Sequence, residues 1–380
     1  MKAALVPWAL SGSAAVTVGF GRFGYALILP AMQSDLHLNY TQAGWLNTSN
    51  SLGYLLGSIL TVLLVGRLGN RRLLVAGLLV TTAALLASGL TSHLLLLNTL
   101  RFLTGVASAW AFICGGVLAS TLGARAMVIY FGGGGSGMLI TGLTLPWLFE
   151  WAGAQAWPWA WAGMALVCTP ISAAAIAATR YSIEPTTPDT RVSWPLRPCL
   201  PSFIGYFLFG LGYLVYMTFS VAWVRQHGST TALPLAAITS VMWALLGAMC
   251  MLAPLVWRWL FNDRPDGLPM AITMATLAAG AALPLLLPST AGVWLSAALV
   301  GVSVLMVPSA VTGFIKANLP APAWGSALAV ATTLFAVGQS VGPAAAGWIS
   351  DLSGSLSAGL AVAALILLSG AVLALTQRPV

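Results

Sequence analysis

Apolar residues recur along this chain in blocks of about twenty, long enough to cross a hydrocarbon core of ~30 Å as helices, and short polar or Gly/Pro-bearing stretches separate the blocks. The pattern predicts twelve helical spans, at roughly 8–32, 41–65, 73–92, 95–121, 127–149, 157–179, 200–224, 233–257, 268–287, 291–315, 323–348 and 356–376. Strands of a membrane barrel would instead alternate with period two over ~10 residues, and no such alternation is present. Trp8, Trp147, Trp157, Trp223, Trp257, Trp294 and Trp348 fall near predicted ends, where indole rings sit at a membrane–water interface. The opening stretch "MKAALVPWALSGSAA" has the look of a secretion signal, but apolar character runs on to Pro30, so an uncleaved first span is expected.

Composition agrees. Of 380 residues, 59% are hydrophobic and 6% charged, against about 25% charged in soluble domains. The net charge of +8 does not point to nucleic acid, because no basic run is longer than Arg71-Arg72. The positives act as topology signals instead. With the N-terminus inside, Lys2, Arg67, Arg71, Arg72, Arg125, Arg180, Arg191, Arg197, Arg258, Arg264, Lys316 and Arg378 are cytoplasmic, and only Arg225 lies outside. Residues 179–198, "TRYSIEPTTPDTRVSWPLRP", form the longest polar segment. They divide the chain into a six-span bundle at 1–179, a cytoplasmic linker at 180–199 and a second bundle at 200–380. "WLFEWAG" (147–153) and "WISDLSG" (348–354) share Trp-x-x-acid-x-x-Gly at corresponding spans, as parallel repeats would. The expected fold class is all-α integral membrane, with twelve transmembrane helices in two pseudo-symmetric six-helix bundles.

Twelve spans in two sets of six, with "GRLGNRR" (66–72) between the second and third, resemble the major facilitator superfamily. The loop pattern of that family is Gly-x-x-x-Asp-Arg-x-Gly-Arg-Arg; Arg67, Gly69, Arg71 and Arg72 fit it, and Gly66 stands where the Asp belongs. "NDRPDG" (262–267) keeps Asp263 and Arg264 in the second half, and "RFLTG" gives the Arg-x-x-x-Gly of the fourth span. "GFGRFGYALILPAM" followed by "QAGWLNTSNSLGYLLG" is similar to the YbfB/YjiJ type of bacterial transporter within it. The resemblance implies an inner-membrane transporter, monomeric by default; the even span count and the loop charges place both termini of this multi-pass chain in the cytoplasm, and no cofactor is expected. Its first, fourth, seventh and tenth helices would line a central cavity. Arg67, Arg71, Arg72, Asp263 and Arg264 would be gating residues, with the second-half pair carrying more of that load because Gly66 is not an acid.

Charges within the spans are then the candidate chemistry. A charge at mid-membrane costs about 2.5–3.5 kcal/mol on insertion scales, yet Arg22 and Arg101 both lie inside predicted spans. None of the seven acids, Asp35, Glu150, Glu184, Asp189, Asp263, Asp266 and Asp351, falls at mid-span. If both arginines face the cavity, it is net positive, and a guanidinium fork suits carboxylate or phosphate. An organic anion is therefore the expected small-molecule substrate, with Arg22 and Arg101 as ligands. The alternative is structural: Arg22 capping carbonyls and Arg101 pinning helices. Asn47, Asn50, Ser51 and Tyr54 recur at i, i+3, i+4 and i+7, one helix face. Tyr25, Tyr206, Tyr213, Tyr216 and Gln339 are further candidate lining groups. Such residues also bridge helices without any ligand. Glu150 and Asp351 are the acids nearest the membrane and the coupling candidates if a proton is co-transported.

Other chemistries are excluded or unsupported. "GGGGSG" (132–137) lacks the Lys and Ser/Thr of a phosphate loop and reads as a close-packing surface. Ser136 has no histidine at its depth, so neither a serine enzyme nor any other catalytic site is expected. Cys114, Cys168, Cys199 and Cys250 form no CxxC pair, and no metal site is expected. The functional expectation is secondary transport by alternating access, the halves rocking about a midplane site. The alternatives are an efflux transporter of amphipathic compounds and a non-transporting membrane sensor on the same fold.

Overall fold

The computed structural model describes residues 3–184, 193–227, 233–261 and 264–380. Among them are eleven helices of membrane length and composition, so the chain is a multi-pass membrane protein. They are α1 (Val6–Leu36), α2 (Tyr40–Ser88), α3 (Leu94–Ser120), α4 (Ala124–Ala152), α5 (Trp157–Ala178), α6 (Leu200–His227), α7 (Leu235–Val256), α8 (Leu268–Leu286), α9 (Thr290–Asn318), α10 (Trp324–Ser353) and α11 (Leu356–Leu375).

The 49-residue α2 is not one rod. Gly69 interrupts it with φ 79° and ψ 159°, a conformation that a Cβ disfavours. A Cβ on Gly57 would lie 2.7 Å from Val106 Cα, and one on Gly77 would lie 2.8 Å from Ala111 N. Twenty residues of straight helix would hold these two glycines about 30 Å apart. The chain therefore doubles back at Gly69, and the two arms of α2 flank the same stretch of α3. The sequence pattern placed two separate spans here, at 41–65 and 73–92; they are these two arms.

Small residues set the helix spacing. Gly53 and Gly105 bring the backbones of α2 and α3 together, since a Cβ on either would meet a carbonyl oxygen at 2.0 Å. The glycine run of α4 works on two sides. Gly133 and Gly137 face Ser11, Ala15 and Gly19 of α1, while Gly135 and Gly142 face Gly247, Trp243 and Ala244 of α7. In lipid no hydrophobic force drives helices together, so close backbone approach supplies the attraction.

Burial along α2 and α10 gives the shape of the central space. Seven of nine residues are buried over Ala43–Ser51 and again over Phe335–Pro343. Beyond these stretches, only Gly53, Gly57 and Thr61 are buried between Leu52 and Leu68, and only Ala327 and Ala331 between Trp324 and Leu334. A Cβ on Gly44 would lie 2.3 Å from Pro343 O, and one on Gly347 would lie 2.3 Å from Tyr40 O. The two helices thus touch at the end carrying Tyr40 and Asp351 and part toward the end carrying Arg67, Arg71 and Arg72. We call these the far end and the basic end.

Candidate functional site

The site begins with the glycines of α1. Over Ala15–Phe23 that helix widens to a π-helix, and Gly24 N donates to Gly19 O at 2.8 Å, five residues back. Gly19 permits this against α4, because a Cβ there would lie 2.5 Å from Gly137 Cα. A widened turn re-aims main-chain carbonyls, and such bulges recur at functional sites.

Arg101, 1% exposed, takes up those carbonyls. Its Nη1 donates to Gly21 O at 2.6 Å, Nη2 to Arg22 O at 3.5 Å and to Asn47 Oδ1 at 3.4 Å, and Nε to Leu46 O at 3.4 Å. Its guanidinium carbon also lies 4.9 Å from the Tyr25 ring centre and 5.7 Å from that of Trp161, within cation–π range. The surrounding polar groups are also engaged. Tyr25 donates to Ala43 O at 2.9 Å, Asn50 to Arg101 O at 3.1 Å, and Asn47 to Thr218 Oγ1 of α6 at 2.6 Å. Of the candidate ligands, Tyr25, Asn47, Asn50 and Arg101 therefore form one hydrogen-bonded cluster joining α1, α2 and α3 and, through Asn47, reaching α6.

Arg22 lies in a different setting, although it is also buried. Nη2 donates to Gln339 Oε1 of α10 and to Ser51 Oγ of α2, the latter at 3.5 Å. Tyr213 of α6 donates to the same Gln339 oxygen at 3.0 Å. The guanidinium carbon stands 5.1 Å from the ring centre of Tyr54. Among the described residues, the only ion pair is Arg264 with Asp266, so no carboxylate neutralises Arg22. Ten buried side-chain N/O atoms there lack a partner, and the only guanidinium and amide nitrogens among them are Arg22 Nε and Gln339 Nε2. Two unpaired donors thus sit on two side chains that already touch. A buried unsatisfied donor costs about 1–3 kcal/mol, and an acceptor supplied from outside would remove that cost for both. Arg22, Tyr54, Tyr213 and Gln339 are the candidates that the fold brings together where α2 and α10 begin to part.

Four rings continue from this point toward the basic end. Tyr206, Phe209 and Tyr213 of α6 and Phe335 of α10 form five stacked pairs, every pairing but Tyr206 with Tyr213, with centroids 4.6–5.8 Å apart and planes within 24°. Tyr216 does not join them; its hydroxyl bonds Ser296 Oγ of α9 at 2.8 Å. Reading the sequence grouped the tyrosines of α6 by helical spacing and missed Phe209 and Phe335. Phe335 precedes Gln339 by one turn, which was the available signal.

At the far end, Asp351 bridges α10 to the start of α2. It accepts from Tyr40 N at 3.0 Å, Thr41 N at 2.8 Å and Thr41 Oγ1 at 2.5 Å. Gln226 of α6 bonds Tyr40 beside it. Glu150, the other coupling candidate, is exposed at the end of α4 and makes no protein hydrogen bond among the described residues. At the basic end, Arg67 and Arg72 are exposed. Arg71 donates to Thr179 O at 2.8 Å. Asp263 lies outside the described residues, as do Lys2, Asp189 and Arg191. Arg264 is 3.9 Å from Asp266.

Sequence reasoning missed Glu184. Its carboxylate accepts from the Asn70 backbone N, from Asn70 Nδ2 at 2.8 Å and from Arg71 N at 3.4 Å, just past the break at Gly69. It caps the second arm of α2, where a helix N-terminus favours negative charge. The loop motif lacks its acid at Gly66, and a carboxylate from far along the chain serves the adjoining turn.

Ser136 Oγ bonds Gly133 O at 2.7 Å, within its own helix. The four cysteines are buried, and the described residues hold no metal-competent group of His, Cys, Asp and Glu.

Residues 14–375 match the family model described as "Uncharacterised MFS-type transporter YbfB". No curated protein matches the chain in sequence. Among solved structures, a bacterial homolog of the human lysosomal transporter Spinster in an inward-facing, unoccupied conformation superposes with TM-score 0.73 at 14% identity, covering 99% of this chain and 97% of that one. An auto-inhibited POT family peptide transporter gives 0.70 at 15% identity, with 98% and 95% covered. The nucleoside transporter NupG gives 0.68 at 13% identity, with 97% of each chain covered. At these identities the likeness establishes a shared fold.

Proposed function

Because this chain belongs to the YbfB family of MFS-type transporters, we propose that it carries a small organic anion across the inner membrane by alternating access, with Arg22 as the anion's principal ligand. The observation that carries this is the unneutralised Arg22 guanidinium, whose Nε lacks a partner beside the equally unpaired Nε2 of Gln339. Intramembrane charge is expensive and functional by default. Here it meets a residue of the other half of the chain at the point where the two helices part.

Counting the two arms of α2 separately gives twelve crossings, six before and six after the linker, with residues 1–179 and 200–380 as the moving bundles and both termini cytoplasmic. Arg22 belongs to the first bundle, and Gln339 and Tyr213 to the second. An anion bridging them would hold both bundles at once, which is what closure of the basic end over a bound substrate requires. Arg101, Tyr25, Asn47 and Asn50 serve in this scheme as the scaffold that holds the π-helical turn and aims Arg22. The supporting features at the basic end are Arg67, Arg71, Arg72 and Arg264, whose positive field attracts anions.

The test is thermal stabilisation of the purified protein by a panel of organic anions, cations and neutral sugars, run beside Arg22→Gln. Binding to the folded state raises apparent stability by mass action. An anion that stabilises the wild type and not the variant is the expected result. A neutral or cationic compound that stabilises both alike overturns the anion assignment.

A further inference from the structure

We infer that the transported anion has a planar unsaturated ring, and that Phe335 and Tyr206 select it by stacking, with the carboxylate seated on Arg22 and Gln339. The inference rests on the anion site just described and concerns the other end of the same ligand.

The four rings of the α6–α10 stack are not equivalent. Phe209 is 1% exposed and closes the back; Tyr213 is 5% exposed and ties by its hydroxyl to Gln339; Tyr206 and Phe335 retain 7% and 9%. Tyr206 and Phe335 are also a closely stacked pair, at 4.7 Å and 12°. Tyr206 and Phe335 are thus the two least covered of the four rings. Phe335 lies one turn below Gln339 on α10, and Tyr206 two turns below Tyr213 on α6, on the basic-end side of the Arg22–Gln339 contact. Tyr54 flanks the same space from α2, with its ring centre 5.1 Å from the Arg22 guanidinium carbon. The far side is shut: Val215–Val224 of α6 is buried without interruption, and Gly44 meets Pro343 backbone to backbone. A ligand entering from the basic end therefore meets rings first and the guanidinium last. An anion with its charge at one end and a flat apolar body behind it satisfies both in that order.

Near-parallel planes distinguish a stack from general apolar packing. Ring faces and edges carry opposite partial charge, and offset parallel rings gain roughly three- to tenfold in affinity beyond area burial. A saturated ring of the same size buries similar area without that gain.

Benzoate and cyclohexanecarboxylate share a carboxylate on a six-carbon ring and contrast a flat unsaturated ring with a puckered saturated one. Their dissociation constants would be measured by calorimetry on the purified wild type, on Phe335→Leu and on Tyr206→Leu. Benzoate should bind the wild type about three- to tenfold tighter, and the ratio should collapse toward one in either variant. The second variant stands in if the first does not fold. Equal binding of the two acids to the wild type, or a ratio surviving both substitutions, overturns ring selection and leaves the anion site standing. Failure of either acid to bind any form, with a non-anionic compound stabilising the protein instead, overturns both.

Discussion

Two buried arginines, one helix apart, illustrate how a charge is used. Arg101 has a partner for each of its nitrogens, so its loss strands carbonyls. Arg101→Met leaves Gly21 O and the Asn47 side chain without their donor, at about 1–3 kcal/mol for each group left unsatisfied. Its melting temperature should fall by several degrees in detergent, with or without ligand. Arg22→Gln should leave the melting temperature nearly unchanged and abolish ligand-induced stabilisation. If Arg22→Gln melts as low as Arg101→Met, Arg22 is a structural residue. Gln339→Glu tests the same spot from the opposite bundle. It places a carboxylate against Arg22, where Gln339 Oε1 now accepts, and a buried charge-assisted pair is short and strong. This variant should be thermally more stable than wild type, indifferent to added anions and inactive in uptake by proteoliposomes. An unchanged response to anions would mean that the ligand does not compete for this guanidinium.

These two arginines also mark how far the sequence could be read. A charge inside an apolar block is visible as letters, and the absence of a mid-span acid is visible too. The neighbours that divide their roles are not. Arg101 meets Gly21 O only because α1 widens to a π-helix, and no side-chain pattern encodes that turn beyond its glycines. Gln339 is 317 residues from Arg22 in sequence, so their contact is a product of tertiary packing. Asn47 and Asn50 share a face with Ser51 and Tyr54, as their spacing implies, but that face is wide enough to split. The first two turn to Arg101 and Thr218, and the last two to Arg22.

At the scale of helices, glycines carry the packing, and their positions predict what enlargement does. Most glycine contacts, such as Gly53 with Phe102, lie between helices of one bundle, and they persist whichever way the bundles rock. Gly44 is different: its neighbour Pro343 is in the opposite bundle, at the sealed end. A valine there collides only when the far end is shut. Gly44→Val should therefore shift the population toward the far-end-open state instead of unfolding the protein. Ser220→Cys provides the probe. Ser220 is buried on the sealed stretch of α6 and its hydroxyl lacks a partner, so the exchange costs little. The four native cysteines are buried and contribute little background. Labelling of Ser220→Cys by a membrane-impermeant thiol reagent should rise severalfold when Gly44→Val is added. The block structure of the sequence gave away the helices themselves because the hydrocarbon core fixes their length. The reversal at Gly69 was legible through "GRLGNRR", whereas its cap by Glu184 was not, since that carboxylate arrives from the linker.

For the whole molecule, alternation requires that the seal at the far end be strong enough to hold and weak enough to release. Its polar part is small. Asn39 and Gln42 cap the start of α2 reciprocally, with Gln42 N donating to Asn39 Oδ1 at 2.8 Å and Asn39 N to Gln42 Oε1 at 3.0 Å. This leaves the amides of Tyr40 and Thr41 to Asp351 of the other bundle. Helix α2 is therefore fully capped only while the bundles touch. Opening the far end exchanges those bonds for water, and because Asp351 is exposed the net worth is at the low end for charged partners, about 1.5 kcal/mol. That corresponds to roughly a tenfold change in the closed-to-open ratio, well within what a bound ligand can overcome. Asp351→Ala should thus raise labelling of Ser220→Cys by about tenfold without loss of fold, and adding Gly44→Val should bring a smaller further gain because both act on one equilibrium. The same variant should bind anions from the basic end less well, since fewer molecules present that opening. If Asp351→Ala leaves labelling unchanged while Gly44→Val raises it, the Asp351 bonds add nothing to the seal, and Asp351 is no more than a solvated charge at a helix end.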